Sequence, residues 1–227
     1  MARNFIADNA TAIDSPHDYG RLSPTNILPE NATYYHRFIM ANWKFNLVVN
    51  VGSIFLLIIA GWVFLGLAIA TKPQYAIQVF VYLIDLPLFL MTLVGVMFVH
   101  ELCHFLGYWA FSKKLPKIGY KLMYAHADGG ALYFPKNQFV MISLAPFVII
   151  TTVGLIWLTQ AHILTIPILI LGLAINTAGS LGDLILSMWL LSHPVPSYVF
   201  DEGGSIAIYK MHPIAQVSLS QHEAVLS

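Results

Sequence analysis

FVHELCHFLG, residues 98–107, sets two histidines, a glutamate and a cysteine inside an apolar run that extends from about Leu86 to Phe111. An ionised side chain at mid-bilayer costs roughly 3 kcal/mol or more, so such groups persist where partners or a function hold them. At 100° per residue His100 and His104 stand only about 40° apart on a helix, and both imidazoles reach one metal ion. Glu101 lies about 60° beyond His104, on the flank where it reaches a water beside that metal without being a ligand. This is the HExxH pattern, in which the histidines bind zinc and the glutamate is the general base of a peptidase. The plainer reading is a set of buried polar groups bridging helices. Bis-histidine haem ligation is disfavoured, because residues four apart cannot occupy opposite faces of one iron.

The rest of the chain places this run in a membrane. Of 227 residues 58% are hydrophobic and 10% charged, against about 25% charged in soluble domains. Mean hydropathy is +0.71. Equal numbers of acidic and basic residues, 11 of each, give no basic face for nucleic acid. The single Cys103 excludes an internal disulfide framework, and the N-terminal residues lack the apolar core of a signal peptide. Four apolar stretches, 47–70, 86–111, 139–158 and 163–191, each approach the roughly 20 residues that span a bilayer. An amphipathic stretch, PQYAIQVFVYLID, precedes the second, with Asp85 and Pro87 at the junction.

The expected fold is therefore an all-α multi-pass membrane protein of about four transmembrane helices, with two short β-hairpin-like segments. Residues 1–42 form a polar arm ordered by docking, 43–192 the membrane domain, 112–138 a hairpin loop and 193–227 a tail with a second hairpin. The hairpins are read from GYKLMYAHADGGALYF around Asp128-Gly129-Gly130 and YVFDEGGSIAIY around Glu202-Gly203-Gly204, where glycine supplies the positive φ of tight turns. Arg3, Arg21, Arg37 and Lys44 precede the first span, Lys113, Lys114, Lys117, Lys121 and Lys136 fill the central loop, and Lys210 is in the tail. Lys72 alone lies opposite, so both termini and the loop are expected in the cytoplasm.

A catalytic zinc takes three protein ligands and keeps an open position. The fourth span offers INTAGSLGDLIL, in which Asn176, Ser180 and Asp183 fall on one stripe at about 0°, 40° and −20°. Gly172 and Gly179 flank it, where another helix could approach. His104 and Asp183 each lie seven to eight residues before the cytoplasmic end of their spans, roughly 10–13 Å deep. Asp183 is the expected third ligand; a bridging carboxylate is its alternative role. His126 and Asp128 are rival donors, with turn positions as their other reading. Asn176 could donate to a scissile carbonyl or bond between helices. Cys103 reads as a buried small hydrophobe or a soft ligand. Asp85 and His162 lie towards the opposite face, and His193, His212 and His222 in a solvated tail.

HELCH in a span, a hairpin-bearing loop, Leu144-Ala145-Pro146-Phe147 in the next span, Gly182-Asp183 in the fourth and the ending VFDEGGSIAIYK resemble the small bacterial membrane zincins. That family is in turn similar to site-2 proteases. The resemblance covers roughly residues 90–210. It implies zinc held by His100, His104 and Asp183, with Glu101 as base, a hairpin that receives an unwound substrate by strand addition, and a prokaryotic plasma membrane. Two features depart from the site-2 pattern. Gly182 precedes Asp183 where that pattern reads Leu-Asp-Gly, and the chain carries no PDZ-like or CBS-like module. The expected function is an intramembrane zinc metalloprotease acting on membrane-protein substrates. The alternative is a non-catalytic scaffold, an accessory subunit of a larger complex that keeps a zincin-like site.

Overall fold

The computed structural model describes residues 23–73, 85–114, 117–121, 124–128, 132–162, 164–193, 196–201 and 205–212. In chain order the elements are β1 (Ala32–Ile39), α1 (Trp43–Thr71), α2 (Leu86–Ser112), β2 (Lys117–Lys121), β3 (Tyr124–Asp128), β4 (Tyr133–Pro135), α3 (Lys136–Gln160), α4 (Ile166–Gly179), α5 (Leu181–Leu191), β5 (Ser197–Asp201) and β6 (Ser205–Met211). Most of the stretch 73–85 lies outside the described residues.

Local chemistry sets the helix ends. Asn42 caps α1 by accepting from the Lys44 N–H at 2.9 Å, and Asp85 caps α2 by accepting from Leu88 N–H at 3.1 Å. These side chains satisfy donors that a first turn leaves without intrahelical partners. Pro87 occupies the first turn of α2, where the missing N–H costs nothing and φ is already helical. The helix stops at Lys113, which adopts a left-handed conformation (φ 55°) and returns its N–H to Trp109. Helices α1, α2 and α3 are each long and apolar enough to cross a membrane.

The fourth apolar stretch, one continuous stripe in the sequence, is a bent pair in the structure. Helices α4 and α5 meet at 42° around Ser180. Gly179, Ser180 and Gly182 cluster at that point, a composition that lets a helix bend. The Ser180 hydroxyl, fully buried, donates to the Asn176 carbonyl at 2.8 Å. The Ser53 hydroxyl of α1 donates to Ala178 O at 2.8 Å, so a carbonyl loosened by the bend keeps a partner.

Helix α4 is the centre of the bundle and packs against α1, α2 and α3. Ile170, Leu173 and Ala174 form one core with Phe64 and Ala68 of α1 and Leu158 of α3. Two close approaches set the spacing. A Cβ on Gly154 of α3 would meet Leu173 Cδ2 at 2.6 Å, and one on Gly172 would meet Val96 Cγ2 of α2 at 3.4 Å. Nothing lies within 4 Å of a Cβ on Gly179, whose place is at the bend. Outward faces are apolar as well: Phe55 and Trp62 of α1, Met91 and Phe98 of α2, and Ile156 and Trp157 of α3 are all exposed. Exposed apolar surface on this scale marks an interface with lipid or with another protein.

At the opposite end a four-stranded antiparallel sheet, ordered β1-β6-β5-β4, covers the bundle. Phe134, Val199, Ile206 and Ile208 join Tyr108, Phe139, Ile142, Leu186 and Leu190 in a second core. Strands β5 and β6 pair antiparallel, with Asp201 opposite Ile206; the expected turn around Glu202-Gly203-Gly204 lies outside the described residues. The other hairpin differs from expectation. Strand β3 pairs with β2, Lys121 opposite Tyr124, while β4 pairs with β5, Tyr133 opposite Phe200. Phe134 of β4 is 1% exposed and, beside β5, lies in that second core, while Gly129 and Gly130 of the expected turn lie outside the described residues. Within residues 1–42, β1 pairs with the tail's own β6, from Ala32 opposite Met211 to Ile39 opposite Ser205.

These contacts generate a packing test. Gly154→Val should destabilise the protein by about 1–3 kcal/mol, because the site cannot take the extra volume. Gly61→Val, where nothing lies within 4 Å of the added Cβ, should change it far less. Thermal unfolding in detergent reads the difference.

Candidate metal centre

Three donors converge between the two cores. His100 and His104 stand one turn apart on α2, ring centroids 5.0 Å from one another. Asp183 lies in the first turn of α5, where aligned peptide dipoles favour a carboxylate. Its Oδ2 is 3.2 Å from His100 Nε2 and 3.5 Å from His104 Nε2. Among the described residues these three form the one group of metal-binding side chains whose donor atoms all lie within 4.8 Å of one another. The bend at Ser180 matters to this geometry, since it sets the direction in which the first turn of α5 presents its carboxylate.

The opposite ring nitrogens are tied back. His100 Nδ1 is 3.2 Å from Asn176 Oδ1, and His104 Nδ1 is 3.0 Å from the Ile142 carbonyl. Both partners accept, so each Nδ1 donates its proton, which makes each Nε2, on the Asp183 side, the nitrogen that would bind a metal. Asn176 is 1% exposed. Its amide nitrogen faces the Pro146 carbonyl at 3.4 Å and Thr151 Oγ1 at 3.5 Å, which fixes the amide orientation chemically: oxygen towards His100, nitrogen towards the acceptors. Of its two readings from sequence, the structure displays the hydrogen bonds between helices.

The donor set fits zinc. A four-coordinate zinc with bonds of about 2.0–2.1 Å separates its donors by about 3.3–3.4 Å, and the two nitrogen–oxygen separations bracket that value. Two imidazoles and one carboxylate leave a fourth position, the pattern of catalytic rather than structural zinc. Side chains of His100, His104 and Asp183 are 12%, 13% and 22% exposed, so the donors are largely withdrawn from solvent. Glu101 is partly buried beside them on α2, near enough for its charge to act on His104.

The remaining sequence candidates fall elsewhere. His126 and Asp128 stand on β3, of which the backbone alone is described. Cys103 is buried and outside the three-donor group, in keeping with a small hydrophobe. Asp85 is a helix cap. His193, expected in a solvated tail, is half-buried, with its ring 4.3 Å from that of Trp189 and 5.4 Å from that of His36. The sheet has folded back over the end of α5 and carried it inward. His212 Nε2 lies 2.8 Å from Thr33 Oγ1, and His222 lies outside the described residues. Sequence reasoning missed the Ile142 carbonyl, a backbone acceptor that no side-chain motif names.

Residues 93–198 match the model of a family described as "Putative zincin peptidase". This match runs from within α2 to the start of β5 and contains all three donors and Glu101. It points to a zinc metallopeptidase. No curated protein and no solved structure matches the chain significantly.

His100→Ala, His104→Ala and Asp183→Ala should each reduce bound zinc from about one per chain to a small fraction of that, since two donors hold the ion poorly. Asn176→Ala should keep the three donors and weaken zinc affinity about 10–100-fold. Metal analysis of detergent-purified protein and chelator competition check both.

Proposed function

We propose that the chain is an intramembrane zinc metalloprotease that hydrolyses peptide bonds of membrane-inserted substrates. The observation that carries this reading is the convergence of HELCH and Asp183 inside a bundle whose outer faces are apolar. His104 is eight residues from the end of α2, and Asp183 eight from the end of α5, about 12 Å below the helix ends on the sheet side. With Lys113, Lys114 and Lys117 at that side, it is the cytoplasmic one.

His100, His104 and Asp183 would hold the metal, with Asn176 and the Ile142 carbonyl fixing the rings. Zinc, when bound, supplies Lewis acidity that polarises an amide carbonyl and acidifies water. Glu101 accepts a proton from the attacking water as the new carbon–oxygen bond forms at the scissile carbonyl. The same carboxyl then delivers that proton to the leaving nitrogen as the carbon–nitrogen bond breaks. Helical backbone is a poor substrate because its amides are hydrogen-bonded and shielded, so the substrate must unwind locally. The β2–β3 hairpin packs against α2 and offers strand edges to an unwound segment.

Glu101→Gln keeps the size of the side chain and removes the base. It should leave zinc content unchanged and lower cleavage about 10²–10⁴-fold. Comparing membrane-protein fragment lengths in cells that express wild type or Glu101→Gln reads this directly. Authentic cleavage retained in full by the variant would end the mechanism. Identical fragment lengths in both, with the chain held in one stable complex, would support the accessory-subunit reading instead.

A further inference from the structure

We propose that Pro146 is a positioning residue for the metal centre: by removing one backbone N–H from α3, it frees the Ile142 carbonyl to orient His104. This rests on the zinc-site reading above and adds a residue that touches neither the metal nor the substrate.

In a regular α-helix the carbonyl of residue 142 accepts from the N–H of residue 146. Proline has no N–H, and its ring crowds the carbonyl four residues back, which tilts that oxygen away from the helix axis. Pro146 lies inside α3, ten residues from its start at Lys136, and is buried. An oxygen released in such a place must find another donor or remain an unsatisfied buried acceptor. The Ile142 oxygen has one: His104 Nδ1 at 3.0 Å.

The neighbouring contacts point the same way. A Cβ on Gly107, one turn beyond His104, would meet Ile142 Cγ1 at 3.3 Å, so α2 and α3 are close where the bond is made. Pro146's own carbonyl faces the Asn176 amide nitrogen at 3.4 Å, and Asn176 Oδ1 holds His100. One turn of α3 therefore supports both metal-binding imidazoles, His104 directly and His100 through Asn176. A proline serving only to bend the helix would not need its released oxygen aimed at a ligand ring.

Pro146→Ala supplies the missing N–H, which then competes with His104 for the Ile142 oxygen. Zinc affinity, measured by chelator competition on the full chain in detergent, should fall about 10-fold or more. The metal-free protein should melt at the same temperature or higher, because a proline has left a helix interior. In zinc-loaded protein labelled with ¹⁵N-histidine, the His104 Nδ1 resonance should shift towards a weaker hydrogen bond while the Nε2 resonance stays metal-bound. Gly107→Ala, which presses on the Ile142 side chain without altering α3's own N–H groups, should lower affinity in the same direction; if Pro146→Ala does not fold, Pro146→Val supplies the same N–H at nearly the volume of proline and takes its place. Unchanged zinc affinity and an unchanged His104 Nδ1 signal in the folded variants would overturn the role of Pro146 and leave the peptidase reading standing. Wild-type protein with no affinity for zinc would overturn both.

Discussion

Ionisable side chains among hydrocarbon need partners, and that constraint organises this chain. His100, His104 and Asp183 are costly in an apolar bundle taken singly. Together they share charge and hydrogen bonds at separations that suit one metal ion. Each then demands something of its own helix. Helix α2 must bring one face to α4 at Gly172, α3 must release an oxygen, and α5 must begin at an angle that turns Asp183 inward. The candidate metal centre lies where α2, α3, α4 and α5 meet.

Helix α4 carries most of that burden. It lies in the middle, contributes Ile170 and Leu173 to one core, and ends where the bend begins. Asn176, one turn before that end, is the polar residue through which α4 acts on the site. A buried amide is tolerable only if both its ends are satisfied, and here His100 takes one while Pro146 and Thr151 face the other. The second core, under the sheet, anchors the far end of α5 through Leu186 and Leu190. Asp183 is thus held between two packed regions, and a carboxylate so placed has little freedom to drift from His100 and His104.

Much of this was legible in the sequence, for identifiable reasons. Hydrophobic run length marks helices of this kind, and i, i+4 spacing places His100 and His104 on one face whatever surrounds them. Asp183 could be paired with them because two helices read separately set their polar groups at one depth. Other features depended on information that is not local. The bend at Ser180 follows from a cluster of small residues, but its angle is settled by what packs on either side. Strand β3 pairs with β2 while β4 pairs with β5, a choice no turn motif records. Pairing of β1 with β6 joins segments some 170 residues apart in register, beyond the reach of periodicity. The Ile142 carbonyl left a faint mark in Pro146, four residues on, which acquires its meaning only when a donor is seen opposite.

That β1–β6 pairing bears on how the molecule is made. The ribosome delivers β1 before any of the five described helices and β6 after all of them. For most of synthesis β1 is an edge without its neighbour, a condition in which strands recruit unintended partners. Its central residues alternate little, and Arg37 and His36 sit among Tyr34, Tyr35 and Phe38, so charge and bulk temper that tendency. Non-local strand pairing is slow because a long loop must close first. In this chain the loop is the helical bundle, and closing it is an act of assembly rather than of diffusion. The sheet can therefore close only after every described helix has been synthesised.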